Sequence, residues 1–476
     1  MKKYGFIAAI AAVAIAGVVG WNLLRGRDDS MASSIPADAT MVGRVDLKKF
    51  VLDYGLDLAD LKELFFSAKD GEETGIKYQT AAYFFSSLGK LGLIVPLSDE
   101  DDYEALLKRQ GVDIEEQRGM KWSVLNGNML MAFDDDRAMI MGPAVGSDQD
   151  ALRNTIYTCM KQKSSDSGKQ SRIYKLLDER DEPIALSTNF DALPEEFRPK
   201  PMKYLPKNIS LGALDLMAGL SARKDKVSLN IGLSSADEGT NRVLDKYNHV
   251  VDKIQGSLVE TTPPNALFHL EMGLDGDDLL EILRENKLLR TALLAVNMVI
   301  DLDKILKSID GDISLTCLDF NGHDAPDLLF QADLDSDDFM KNVADWNDVG
   351  TRAMGINFYS QDKHNAVCTI SGTPIYFGTR NKRLAISNQE SLVKAEAHAD
   401  VLQKFASDMK GNRIYGFLSI DKLRPMLGQL SPEADEYLGH LDRLTLSVPD
   451  SRQMHVDLVL SEGTDLLKLL KEITEE

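Results

Sequence analysis

The chain has 476 residues, 43% of them hydrophobic and 27% charged. That composition excludes a disordered protein, and the length is too great for one compact core, so two domains of ordinary size are expected. Lys and Arg total 54 against 75 Asp and Glu, a formal net charge of -21 at pH 7. No segment gathers cations along one face, so nucleic acid is disfavoured as a partner.

The first element in chain order is the uncharged stretch from Tyr4 to Leu24, about 21 residues or roughly 31 Å of helix, which matches a bilayer core. Lys2 and Lys3 precede it, and Arg25, Arg27, Asp28 and Asp29 end it. Ala12 with Ala14, or Ala14 with Ala16, offers a signal-peptidase spacing. Either cut would leave Trp21, Leu23 and Leu24 as an apolar tail, so a retained transmembrane anchor is the expectation. The flanking cations balance and do not decide orientation. An amino terminus inside would put the bulk of the chain outside the cytoplasm. No cysteine follows the apolar run, so the lipoprotein form of tether is not expected.

Beyond the anchor, helical patterns at 47–66, 101–110, 149–163 and 277–307 alternate with short strand-like runs. These runs recur in order. SIPADATMVGRVDLKKF has a counterpart in TTPPNALFHLEMGLDGDDLLEIL, each a Pro-led strand running into a helix. LIVPLSDEDDYEALL matches LLFQADLDSDDFMKNV, aligning Asp99 with Asp335 and Tyr103 with Phe339. WSVLNGNMLMAFDDDRAMIM and CTISGTPIYFGTRNKRLAIS both read as meanders, with Gly127 facing Gly372 and Arg137 facing Arg383. PIALSTNFDAL against RIYGFLSIDKL pairs Asp191 with Asp421. LSARKDKVSLNIGLSS against LSVPDSRQMHVDLVLSE closes the series with a hairpin before an acidic-capped helix.

Five blocks in one order indicate two copies of one domain. The expected fold is α+β: an N-terminal transmembrane helix, then two tandem copies of a mainly antiparallel sheet with helices on one face. The boundaries expected are a membrane segment at 1–30, a first repeat at 31–260 and a second at 261–476. The linker falls in ETTPP, Glu260 to Pro264, which propagates neither helix nor central strand.

The opening IPADA with its strand, the turn Val45-Asp46-Leu47-Lys48, and Gly311-Asp312-Ile313-Ser314 leading into a strand resemble a family of exported, envelope-anchored bacterial proteins. That family is known only as a domain of unknown function. The resemblance implies a place in the cell envelope and supplies no catalytic residues. Its members commonly carry a lipidated cysteine that this chain lacks, which leaves the transmembrane helix as the tether.

Signatures of chemistry are scarce. The sequence holds no GxSxG, HExxH, GxGxxG or Walker loop, and its histidines form no i, i+2 or i, i+4 pair, so no catalytic, cofactor or metal residue is assigned. Cys159, Cys317 and Cys368 are odd in number and without CxxC spacing, defining neither a disulfide framework nor a zinc site. Cys317 and Cys368 read as buried thiols, a bridge between them being the lesser alternative. Asp333, Asp335 and Asp337 imitate the start of an EF-hand, but Asp338 stands where Gly is needed and Ala344 where Glu is, so that kind of calcium site is excluded. The clusters Asp99 to Asp102, Asp275 to Asp278 and Asp335 to Asp338 are instead expected at helix amino termini, as caps, with Asp99, Asp277 and Asp337 as the positions that test it.

Two functions follow from different classes. The first is a membrane-anchored, extracytoplasmic, noncatalytic binding or scaffold protein, with another envelope protein or a hydrophobic ligand as partner. The second is an enzyme with an unrecognised site at the junction of the repeats. A polar cluster present in one copy and absent from the other would separate them, because catalysis usually breaks the symmetry of a duplication. Only the Asp134 to Asp136 turn and the Trp346 to Gly350 insertion qualify in the linear sequence, so the binding reading leads.

Overall fold

The computed structural model describes residues 30–54, 73–193, 211–263, 265–298, 300–318, 326–346, 355–395, 403–430, 435, 437–464 and 466. The segment from Tyr4 to Leu24 lies outside them. Among the described residues no helix is long and apolar enough to cross a membrane. The chain packs into two compact units that divide between Ala236 and Asp237, upstream of the ETTPP stretch. Helix Glu238–Val250 and the segment after it belong to the second unit. Arg413 Nη1 ties them there by reaching the carbonyls of Asn248 and Val251.

The described strands of the first unit are β1 (Met41–Val45), β2 (Ala82–Ser87), β3 (Lys90–Pro96), β4 (Glu115–Gln117), β5 (Met120–Leu125), β6 (Met129–Phe133), β7 (Arg137–Gly142), β8 (Ile184–Asn189), β9 (Leu214–Arg223) and β10 (Lys226–Ser235). They pair antiparallel throughout, in the order β4-β5-β6-β7-β3-β2-β1-β8-β9-β10.

In the second unit they are β11 (Phe268–Asp275), β12 (Ile309–Cys317), β13 (Leu328–Leu334), β14 (Ile356–Ser360), β15 (Asn365–Ile370), β16 (Thr373–Arg380), β17 (Arg383–Ser387), β18 (Ile414–Ser419), β19 (Leu441–Asp450) and β20 (Gln453–Leu460). Their order is β14-β15-β16-β17-β13-β12-β11-β18-β19-β20, again antiparallel. Each unit is thus α+β around one mainly antiparallel sheet. The first meander turn of each has two positive φ angles, at Asn126 and Gly127 and at Ser371 and Gly372. That geometry suits the twist of a tight hairpin, with glycine at its second position.

Helices on one face only is an expectation the packing corrects. In β6, Met129, Met131 and Phe133 join a core with Tyr103 and Leu107 of helix Glu100–Arg109. Leu130 and Ala132 join another core with Leu152 and Ile156 of helix Asp148–Lys161. Successive side chains point to opposite faces, and β6 is buried at every position, so an all-apolar strand must be covered on both sides. The second unit likewise has two cores, one around Phe339, Val343 and Trp346 and one around Met409, Tyr415 and Phe417.

The long helical pattern at 277–307 is three helices, Gly276–Glu285, Lys287–Asn297 and Leu302–Lys307. Asn286 breaks the first two apart because its side chain accepts from the N–H of Leu288 (3.0 Å) and Leu289 (3.3 Å), competing with helix continuation. Asp301 caps the third through Lys304 N–H at 3.1 Å.

Candidate functional site

The expected acidic caps are placed first. Asp99 is a cap, accepting the N–H of Asp101 and Asp102, both at 2.9 Å. At the second turn the cap is Asp275, bonded to Asp278 N–H at 3.0 Å, while Asp277 pairs with Lys307 at 3.1 Å. At the third, Ser336 Oγ takes the Asp338 N–H at 3.2 Å, and Asp337 accepts from the Thr379 hydroxyl at 3.2 Å. Asp277 and Asp337 are therefore not caps: in each turn another side chain sits at the position whose oxygen reaches the free N–H groups. Among the described residues no group of three His, Cys, Asp or Glu side chains is arranged to hold a metal.

Cys159, Cys317 and Cys368 are free thiols, Cys159 and Cys368 buried. Burial pushes the Cys159 thiol up to about 11, with help from the nearby Asp38 carboxylate. It raises the Cys368 thiol as well. Trp346, at the start of the expected insertion, is a core residue, edge-on to Phe358 at 5.3 Å. Residues 347–350 lie outside the described ones. The Asp134 to Asp136 turn closes on itself, Asp134 Oδ1 accepting the N–H of Asp136 and Arg137.

A polar cluster much larger in one unit than in the other does exist, the first unit burying Arg44 at the position of Glu271, and cross-strand register reveals it. Matching Asp191 to Asp421 places Ile184 at Ile414. Val45 faces Ile184 and Met272 faces Ile414, and each further pair carries the match one strand on. On the face where the first unit has Val42, Phe85, Ile94, Trp122 and Met139 in its core, the second has His269, Thr316, Gln331, Asn365 and Ala385. Tyr83 is matched by Ser314, and Ala81 by Asp312.

This polar face is nonetheless buried. His269, Glu271, Asp312 and Thr316 are 0% exposed, and Gln331 is 3% exposed. His269 Nδ1 lies 2.9 Å from Thr316 Oγ1, and its Nε2 lies 3.0 Å from Glu271 Oε2. Burial raises the Glu271 carboxyl above its ordinary range, the hydrogen bond from His269 working against the rise. Asp312 sits in a cradle of three consecutive backbone N–H groups, from Gln255 (2.9 Å), Gly256 (2.7 Å) and Ser257 (3.0 Å). Gly256 has φ +79°, the left-handed conformation that lets successive N–H groups converge on one carboxylate. The Ser257 hydroxyl also contacts Asp333.

Arg383 joins this interior to the surface. Its Nη2 donates to Ser257 O at 2.7 Å and its Nη1 to Thr261 Oγ1 at 3.1 Å, with Asp333 3.6 Å from Nε. The first unit repeats half of the device: Arg137 Nη1 donates to Ser34 Oγ at 2.7 Å. Gln331 Nε2 donates to the same Thr261 Oγ1 at 2.8 Å, while Gln331 Oε1 has no partner among the described residues.

Above Gln331 and Ala385 lies a cavity of about 790 Å³, walled by Thr261, Asp362, His364, Asn365, Arg380 and Arg383 on its polar sides and by Leu392 and Val393. Its origin is a loss of side-chain volume: asparagine for tryptophan, alanine for methionine, and the five-residue helix Glu390–Lys394 where the first unit has fourteen residues in Asp148–Lys161. A second cavity, about 810 Å³, lies in the first unit on the opposite face of its sheet. Its lining is mainly apolar, with Leu93, Tyr103, Leu107, Val112, Ile114 and Met131.

The linear blocks hid this face, though its signal was present. β11 and β12 alternate strictly, His269 and Glu271 between apolar neighbours and Asp312, Ser314 and Thr316 likewise, where β2 reads AYFF without a break. Alternation ordinarily means a solvent-facing side. Here it marks polar groups buried on one another.

Fold and cavities together define an α+β protein of two like-ordered antiparallel units with ligand-sized cavities and no recognisable catalytic constellation among the described residues. The chain belongs to the family described as a domain of unknown function, DUF4836, whose model matches residues 50–426. No curated protein matches it. Solved structures of TP0453 show partial likeness. Crystal form IV is 15% identical and covers 42% of this chain and 79% of its own. Form III is 11% identical, covering 46% and 86%, and form I is 13% identical, covering 47% and 88%. Each has a TM-score of 0.27, too low a superposition to define a shared fold.

Proposed function

We propose that this is a noncatalytic binding protein of the bacterial cell envelope, tethered by the segment from Tyr4 to Leu24, in which one duplicated domain keeps a structural core and the other has turned the same face into a ligand site. The observation that carries the reading is the substitution of a packed apolar face by a buried polar one over a cavity of about 790 Å³. Buried polar groups cost stability unless matched, and a face that carries several of them where its counterpart packs apolar side chains answers to something other than folding. Duplication is supported by the common strand order and by Arg137 and Arg383, each opening the seventh strand of its unit and bonding a hydroxyl near the start of that unit. The tether is supported by the uncharged length of the segment and its cationic flanks. A hydrophobic ligand, the partner class expected from sequence, would find its place in the apolar cavity of the first unit.

The same asymmetry is what an enzyme would require, and it is the observation in favour of that alternative. Against it, His269, Glu271 and Asp312 are sealed from solvent and engaged with one another or with backbone. A thermal-shift screen of the full chain against small polar molecules tests the binding reading. Compounds should raise the melting temperature of the wild type more than that of Ala385→Met, which pushes a long side chain into the cavity. Chemical turnover of those compounds would establish the enzyme instead, and a complete lack of Ala385-dependent stabilisers would contradict both. For the tether, the protein should stay with membranes in alkaline carbonate. Release, or a mature amino terminus at Val13, Ile15 or Gly17, would show a cleaved signal.

A further inference from the structure

We propose that helix Lys287–Asn297 of the second unit is an interfacial helix that lays its bare apolar face onto an anionic bilayer surface; this rests on the tether proposed above for bringing the bilayer within reach. The helix forms an outer layer. It packs on helices Gly276–Glu285 and Leu302–Lys307, of which the first touches β11 and β12 and the second β12. Leu293 is its buried side chain. Away from it, Leu288, Leu294 and Met298 are 58%, 63% and 78% exposed, and Val296 is exposed as well. These are four of the twelve exposed large apolar side chains among the described residues, gathered on one helix where scattered single ones would need no explanation. A helix that is apolar all round is ordinarily covered all round.

Two features say what covers it. At about 3.6 residues per turn, Leu288, Thr291, Ala292, Ala295 and Met298 share an arc of about 120° opposite Leu293. The hydroxyl of that arc, on Thr291, already donates to Lys287 O at 2.8 Å. The arc thus has no side-chain donor to give, whereas a specific protein interface carries about one hydrogen bond per 100–200 Å². Hydrocarbon asks for none. Charge then names the surface. Residues 286–300 hold no Asp or Glu in a chain of net charge -21, and Lys287 and Arg290 stand exposed at one border of the arc. Neighbouring cations are taken, Lys246 by Glu285 (2.7 Å), Lys307 by Asp277 (3.1 Å) and Arg284 by Asp303. Lys287 and Arg290 have no carboxylate partner among the described residues. Unpaired cations beside a bare apolar face complement lipid phosphates, their stems lying along the acyl chains while their heads reach the headgroups.

The test is fluorescence quenching on the full chain reconstituted in vesicles of phosphatidylcholine and phosphatidylglycerol. With Cys159, Cys317 and Cys368 replaced by serine or alanine, Thr291→Cys carries an environment-sensitive fluorophore. Spin labels on the acyl chains should quench it by more than half. Leu294→Ser combined with Met298→Ser, at exposed positions where folding is not at stake, should abolish the quenching. Lys287→Ser combined with Arg290→Ser, or omission of phosphatidylglycerol, should weaken docking on the order of tenfold. Melting temperatures report whether each variant folds, and vesicle flotation reports the tether separately. Flotation with an unquenched fluorophore, or quenching that persists in the folded Leu294→Ser, Met298→Ser protein, overturns this inference and leaves the tether standing. Shielding of the fluorophore that grows with protein concentration in the absence of lipid places a second copy on the face and also overturns it. Flotation lost in the Leu294→Ser, Met298→Ser protein supports the helix and contradicts the tether. No flotation at all contradicts both.

Discussion

The corresponding faces of the two sheets differ in one respect that decides the rest. In the first unit, Phe85, Ile94, Trp122 and Met139 meet a fourteen-residue helix, and the face closes as an apolar core. In the second, the register-equivalent positions hold Thr316, Gln331, Asn365 and Ala385, and hydrogen bonds around Arg383 and Asp312 stand beside a smaller apolar core at Met409, Tyr415 and Phe417. One strand order therefore tolerates either solution, because the ladder hydrogen bonds and the opposite, apolar face are common to both units. A fold that keeps one core intact can carry a smaller, more polar core on its other face.

The contrast can be broken most forcefully from the apolar side. Ile94→Gln copies the second unit into the first, where no Thr261-like network receives the amide. It should cost about 3 to 5 kcal/mol, lost apolar burial adding to an unmatched polar group, measured by urea unfolding. A loss under about 1 kcal/mol would mean the first unit tolerates polarity as well as the second. Next in size are the arginines opening β7 and β17. Arg137→Met and Arg383→Met should each cost about 1.5 to 3 kcal/mol, the worth of charge-assisted hydrogen bonds, with the second at the upper end because it also holds Ser257 O.

A pH prediction sharpens the comparison at Glu271, whose register partner in the first unit is Arg44. The folded state raises the Glu271 carboxyl above its ordinary 4.5, so it holds a proton the unfolded chain gives up. The stability from this group is full below the ordinary value and is lost as pH rises through the raised one. Glu271→Gln should flatten that decline and melt higher than the wild type at neutral pH. An unchanged pH profile would show that the buried carboxyl does not titrate differently on folding. The smallest effect is expected at Gln331. Gln331→Met removes the partnerless oxygen together with one hydrogen bond to Thr261, and should leave stability unchanged or raise it by up to about 1 kcal/mol.

Much of the architecture can be read from the residues, because block order, Gly127 with Gly372, and Arg137 with Arg383 all record the same sheet. The α+β class, the meanders and the hairpins follow from period-two runs and turn residues. Coverage of both faces does not follow, since an apolar run such as MLMAF is compatible with a buried strand or a buried helix until its neighbours are known. Within the expected clusters the caps fall at Asp275 and Ser336 rather than at Asp277 and Asp337, for a similar reason: several polar side chains in a row compete, and backbone geometry selects among them. The buried polar face was hidden because polarity alone does not report burial. His269 and Glu271 look like the wet side of a strand, and only the loop at 255–257, arriving from outside the sheet, makes them interior.

The central claim, that equivalent faces are core in one unit and an accessible cavity in the other, is tested most directly by thiol accessibility. Ala385→Cys and Met139→Cys place a thiol at the same register position of the two sheets. In a background with Cys159, Cys317 and Cys368 replaced by serine or alanine, a maleimide should modify the folded Ala385→Cys protein readily. The folded Met139→Cys protein should react only through unfolding, a rate difference of at least about a hundredfold if opening costs a few kcal/mol. Equal, slow labelling of the two variants would contradict the account.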